Sequence, residues 1–223
     1  MEPILISSLE KQFTKYSNPT FAKQQKLYMR NQFNFYGLTA KQRREIQKPL
    51  FKEYITPLTN LKKTTEILWK KDKRDHQYCA QELILQNINN FNPEDIYLFE
   101  YIITAKSWWD TIDFIAPKIL GEYFKLYPEK TEKQIEKWLF SNNIWLQRSC
   151  LLFQLKYKQN LNTELLTHII RSLLDSKEFF INKAIGWILR EYSKTNQAWV
   201  SNFVKKAKLH HLSTREALKF INK

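Results

Sequence analysis

Apolar residues recur at steps of three and four along nearly the whole chain, while strict two-residue alternation bounded by Gly or Asn turns is scarce. The pattern predicts an all-α protein. Pro49, Pro57, Pro93, Pro117 and Pro128 read as punctuation, with Pro117, inside an apolar stretch, expected to kink a helix. When segments are laid over one another at about 36 residues, a degenerate repeat emerges. Its rows are KDKRDHQYCAQELIL from Lys71, SWWDTIDFIAPKILG from Ser107, NIWLQRSCLLFQLKY from Asn143 and EFFINKAIGWILREY from Glu178. This register aligns Trp109, Trp145 and a Phe near position 180, and likewise His76, Ile112, Arg148 and a residue near Lys183. Such spacing fits a HEAT-like α-α superhelix: a stack of antiparallel helix pairs in one domain over 1–223, one helix of each pair lining a concave wall. A plain helical bundle gives a similar pattern.

Composition narrows the function. The chain has 223 residues, 43% of them hydrophobic and 15% aromatic, enough to build a core. Thirty-six Lys and Arg against 22 Asp and Glu leave a charge of +14, the electrostatic footprint of a polyanion binder. An AT-rich coding sequence, which favours Lys, Asn and Ile, produces part of that excess unaided. With only Gly37, Gly121 and Gly186, there is no glycine-rich loop to cradle phosphates, which excludes dinucleotide enzymes, kinases and P-loop ATPases. Cys79 and Cys150 stand far apart inside apolar helical patterns and read as buried free thiols. His76, His168, His210 and His211 lack metal-site spacing, so neither a metal nor another cofactor is expected. The N-terminus does not read as a secretory signal and no apolar run is long enough to span a bilayer. A cytoplasmic monomer is the expectation.

Three segments concentrate residues able to do chemistry. In KSWWDTID, residues 106–113, Ser107 and Asp110 have the spacing of a capping box. Asp113 has no such structural task and stands one helical turn from Trp109, a carboxylate beside an indole in a cationic protein. A solvated surface Asp paired to Lys is the plainer alternative. In NIWLQR, residues 143–148, Trp145 and Arg148 share a face, and Arg148 suits either a phosphate or an ordinary ion pair. In residues 176–192, Lys183, Trp187 and Arg190 form one stripe, and Gly186 allows a helix or a ligand to approach closely.

These segments, with LYMRNQFNFYGL, TAKSWWD, SNNIWLQR, FQLKYKQ and SKEFFINKAIGWILREYSKTN, resemble the DNA alkylation repair family of HEAT-like glycosylases, the AlkD-like proteins. Asn142 is a departure, standing where the family pattern suggests Asp. The resemblance implies a right-handed superhelix holding double-stranded DNA. The implied reaction is base excision of cationic N3- and N7-alkylated purines by hydrolysis of the N-glycosidic bond, without insertion of the lesion into a base pocket. It implies Asp113 as the catalytic carboxylate, Trp109 and Trp187 beside the lesion's sugar and backbone, Arg148 on a phosphate, and Tyr28 on DNA. Lys183 and Arg190, on the Trp187 stripe, are expected to bind DNA as well. The runner-up is a non-catalytic HEAT-repeat binder of damaged or structured DNA, and a protein-binding scaffold is a third possibility. The joint presence of Trp109, Asp113, Arg148 and Trp187 favours the enzyme.

Overall fold

The computed structural model describes residues 4–54 and 58–221, and divides into two compact units, Met1–Phe91 and Asn92–Lys223. Both are built from helices, with no strand among the described residues; a lone bridge joins Asn34 to Lys73. No described helix is long and apolar enough to cross a membrane.

The first unit contains α1 (Ile4–Lys15), α2 (Pro19–Tyr28), α3 (Ala40–Glu53), α4 (Leu58–Lys70) and α5 (Arg74–Gln86). Helix α1 buries Leu5, Ile6, Leu9 and Phe13, the stripe that a 3.6-residue period places on one face. Each such side chain taken from water stabilises the fold by roughly 1.5–3 kcal/mol. Gly37 permits the turn before α3, because its φ is +81° and a Cβ there would lie 2.0 Å from the Asn18 carbonyl oxygen. Thr39 then opens α3 with a reciprocal capping box: Gln42 N–H donates to Thr39 Oγ1 at 3.2 Å, and Thr39 N–H to Gln42 Oε1 at 2.9 Å. Pro49 lies inside α3 instead of bounding it, and Pro57 falls outside the described residues.

Helix α5 is buried with most of its polar side chains, including Arg74, Asp75, His76, Gln77, Gln81 and Glu82. Buried charge demands a partner. Glu82 accepts from Arg43 at 2.7 Å, from Arg44 at 3.0 Å and from Gln47, tying α5 to α3. The Arg43 guanidinium also lies over the Tyr78 ring at 4.8 Å, and that of Arg74 over Phe33 at 3.8 Å. Cys79 and Cys150 are both buried free thiols, and burial pushes both thiol pKa values well up, which suppresses the reactive thiolate.

The second unit runs through α6 (Ile96–Thr104), α7 (Trp109–Phe114), α8 (Gly121–Leu126), α9 (Thr131–Leu139), α10 (Ile144–Leu152), α11 (Thr163–Ser172), α12 (Phe179–Ser193), α13 (Gln197–Lys206) and α14 (His211–Ala217). Helices α7, α10, α12 and α14 pack successively, while α6, α9, α11 and α13 pair with them from the other layer. Short turns begin at Pro93 and Pro128. Pro117 falls in a π-helical segment, Ile115–Leu120, that joins α7 to α8. In an α-helix the N–H of residue 117 would bond to the carbonyl of residue 113, so a proline there deletes that bond and crowds that carbonyl. The wider turn is the adjustment such a break invites, and it follows directly on Asp113.

Helices α5, α7, α10 and α12 start at Arg74, Trp109, Ile144 and Phe179, steps of 35 residues and not 36. The corrected register places Asp113, Arg148 and Lys183 at the same fifth helical position, where the 36-residue alignment set Ile112 beside Arg148.

Replacing Glu82 by Ala strands Arg43, which keeps only 5% of its surface exposed. The expected loss is about 3–5 kcal/mol, read as a lower urea midpoint at unchanged slope. A loss under about 1 kcal/mol would show that water takes over the carboxylate's role.

Candidate active site

Helices α7, α10 and α12 of the second unit bring their N-terminal ends together. Trp108 supplies the N-terminal residue of α7 in extended conformation, without a side-chain cap. The expected capping box is not made: Ser107 donates its hydroxyl to the Ile103 carbonyl at 2.7 Å instead. Helix α10 is capped by Asn143, whose Oδ1 accepts from the N–H groups of Trp145 and Leu146. Asn142, just before it, takes φ +55°, a left-handed conformation that Asn tolerates.

Three rings from these helix starts pack together. Trp108 and Trp145 lie 5.8 Å apart between centroids, Trp108 and Phe180 5.5 Å, and Trp145 and Phe180 5.0 Å. Such tilted and edge-on contacts fix α7, α10 and α12 against one another. The indole N–H of Trp108 is buried in this cluster without a hydrogen-bond acceptor among the described residues. Sequence reasoning singled out Trp109 and passed over Trp108, since neighbouring tryptophans in one motif carry no mark of which faces inward.

Beside the rings, Asp113 meets Arg148. The guanidinium donates from Nε at 2.9 Å and from Nη2 at 2.8 Å, and both bonds end on Oδ1. Its third arm, Nη1, donates to the Phe180 carbonyl of α12. Arg148 is 4% exposed, so its fork faces a carboxylate and a carbonyl within the protein. The Asp113 side chain keeps 22% exposure, and the arginine leaves Oδ2 unused. Burial raises the Asp113 pKa above the ordinary carboxylate range, while the charge and hydrogen bonds of Arg148 pull it back down and Asp110 pushes it up. The site is therefore a carboxylate held in a poorly solvated wall, with one oxygen committed to its partner.

Trp109 and Trp187 are both half-buried, the first at the start of α7 and the second midway along α12. Lys183 and Arg190 flank Trp187 on α12, and both pair with Glu216 of α14, a residue the sequence did not bring forward. Gly186 explains how α14 comes so close: a Cβ there would stand 2.5 Å from Glu216 Cβ and 3.0 Å from the Ser213 carbonyl oxygen. Tyr28 is 71% exposed at the end of α2, in the first unit. Among the described residues no group of three His, Cys, Asp or Glu side chains could hold a metal ion.

A family model described as DNA alkylation repair enzyme matches residues 9–221. Among solved structures, one described as a predicted DNA alkylation repair enzyme from Enterococcus faecalis is 36% identical, with a TM-score of 0.87. The match covers 93% of this chain and 97% of that one. No curated protein matches.

Removing the guanidinium tests the pair. With Arg148→Ala, the Asp113 pKa should climb further, as followed by a carboxyl-carbon NMR titration. Asp113 already titrates above its unfolded value, so its contribution to stability is complete below the unfolded pKa and is lost as pH rises through the folded one. The deficit of Arg148→Ala should accordingly be smallest in acid and reach about 3 kcal/mol near neutrality, the lower end for breaking a buried pair. A deficit independent of pH would disconnect Arg148 from the titration of Asp113.

Proposed function

Because this chain belongs to the DNA alkylation repair enzyme family, we propose that it is a DNA glycosylase hydrolysing the N-glycosidic bond of cationic N3- and N7-alkylated purines in duplex DNA. The observation that carries the reading is Asp113, a carboxylate fixed through Oδ1 by Arg148 with Oδ2 left over.

The chemistry needs little more than this. Alkylation at N3 or N7 makes the purine cationic, so cleavage of the bond from the sugar C1′ to N9 releases a neutral base and requires no general acid. The electrons of that bond leave with the base, and positive charge develops on the sugar ring. A preorganised carboxylate stabilises that charge electrostatically, and Oδ2 is the oxygen positioned by elimination to face it or to orient the attacking water. Water adds at C1′ and its proton passes to Asp113 or solvent. Trp109 and Trp187 supply aromatic faces beside the sugar, each cation–π contact contributing on the order of 1 kcal/mol. Lys183 and Arg190, though paired with Glu216, face the DNA backbone, and Tyr28 lies against it. Arg148, expected from the resemblance to hold a phosphate, acts in this scheme through Asp113: it keeps the buried carboxyl ionised and aims its free oxygen.

Asp113→Asn should lower excision of 7-methylguanine by at least about a hundredfold, the scale of losing one preorganised transition-state contact, while binding of undamaged duplex stays nearly unchanged. Base release is measured by single-turnover chromatography, and wild-type rates in the variant would remove the mechanism. Since the carboxylate must be ionised, activity should fall as pH drops through the Asp113 pKa, with an acid limb above the ordinary Asp range near about 3.9.

Charge on the lesion, more than its size, should govern the rate. A bulky cationic N7 adduct is expected to be released within roughly tenfold of its methyl counterpart, a barrier difference of about 1.4 kcal/mol, whereas neutral hypoxanthine should persist. Rapid hypoxanthine release with rejection of bulky cationic adducts would point to an enclosed base pocket.

A further inference from the structure

Helix α12 carries a second charged rung beyond the pair of Asp113 and Arg148. Lys183 stands at the helical position in α12 that Arg148 holds in α10, and as Arg148 meets Asp113, so Lys183 meets a carboxylate, Glu216 Oε1 at 3.0 Å. The other oxygen of Glu216 pairs with Arg190, two turns further along α12. Between the two cations lies Gly186, and the missing Cβ is the notch into which Glu216 settles. The geometry is built for an anion. Lys183 and Arg190 lower the Glu216 pKa below its usual value, so the carboxylate holds its charge further into acid than an ordinary glutamate.

We propose that Glu216 is a specificity-determining residue: an internal counter-ion that occupies the cation pair of α12 in place of a DNA phosphate. The inference rests on the reading of Lys183 and Arg190 as DNA-facing. Their side chains keep 36% and 22% of their surface exposed, so they remain within reach of a ligand while neutralised by Glu216. A phosphate that approaches must displace or share with this carboxylate, which weakens sequence-independent attraction to undamaged backbone. Discrimination then rests more on the contacts to the cationic lesion, because the energy common to every duplex site has been reduced.

The test compares Glu216→Gln with wild type by fluorescence anisotropy on an undamaged duplex of roughly 20 base pairs, titrated over about 50 to 200 mM KCl. Glutamine keeps the shape and removes the charge. Freeing two cations should tighten binding and steepen the slope of log K against log salt by about two units, near 0.9 for each new phosphate contact. Adding Lys183→Ala to the variant should return about one unit of that slope. In competition, the variant should excise 7-methylguanine more slowly than wild type when undamaged duplex is in excess. If wild type binds duplex with ordinary salt dependence and Glu216→Gln, still folded by circular dichroism, shows the same slope or weaker binding, Glu216 is a structural brace and the proposal falls. If wild type itself shows no salt-dependent duplex binding, the failure lies in the DNA-facing reading of α12, and the counter-ion role falls with it. Should Glu216→Gln prove unfolded, Glu216→Asp replaces it. The shorter side chain should loosen the grip on one of the two cations and steepen the slope by about one unit, and an unchanged slope rejects the proposal.

Discussion

A carboxylate withdrawn from water cannot sit charged without a counter-charge delivered at hydrogen-bonding distance. The pairing of Asp113 with Arg148 meets that demand, and much around it follows. Helices α7 and α10 must keep one axial register so that their fifth positions meet. Helix α12 must offer the Phe180 carbonyl to the remaining arm of the guanidinium. The Trp108, Trp145 and Phe180 rings hold the three helix starts at fixed separations. Burial and pairing oppose each other in setting the proton affinity of Asp113, and burial prevails. The result is a carboxyl poised nearer neutrality than an exposed aspartate.

The all-α architecture was legible because a helical period repeated over many turns leaves few alternatives. The neighbourhood of Asp113 was legible for a different reason: a carboxylate one turn from Trp109, with no capping task of its own, called for an explanation. The exact repeat length was not. Rows that share only apolar character let a 36-residue alignment look as good as the 35-residue spacing of the helix starts. With the shorter step, Asp113, Arg148 and Lys183 fall into line by counting alone, and the ion pair could have been anticipated.

Other features lay beyond any reading of local pattern. Nothing in KSWWDTID distinguishes a serine that caps the next helix from one that bonds backward to Ile103, since both satisfy the same hydroxyl. Arg148 has the chemistry of a phosphate ligand and of an internal partner alike, and its burial against Asp113 is a tertiary contact that no local pattern carries. Glu216 is distant from α12 in sequence and owes its place to Gly186, whose significance is a contact with a helix yet to come. Pro117 was expected to bend a helix, and the chain instead widens into a π-helical segment.

That ladder-like spacing has a consequence for how such a chain tolerates insertion and deletion. One residue added within the first turn of α10 would swing Arg148 by about 100° around the helix axis and carry its guanidinium off Asp113. The same residue added in the turn around Lys158, which links α10 to α11, leaves the angular phase of α7 against α10 untouched. Length variation between related chains is therefore expected to collect in the connections that follow α7, α10 and α12, while the few residues from each helix start to its fifth position keep a fixed count.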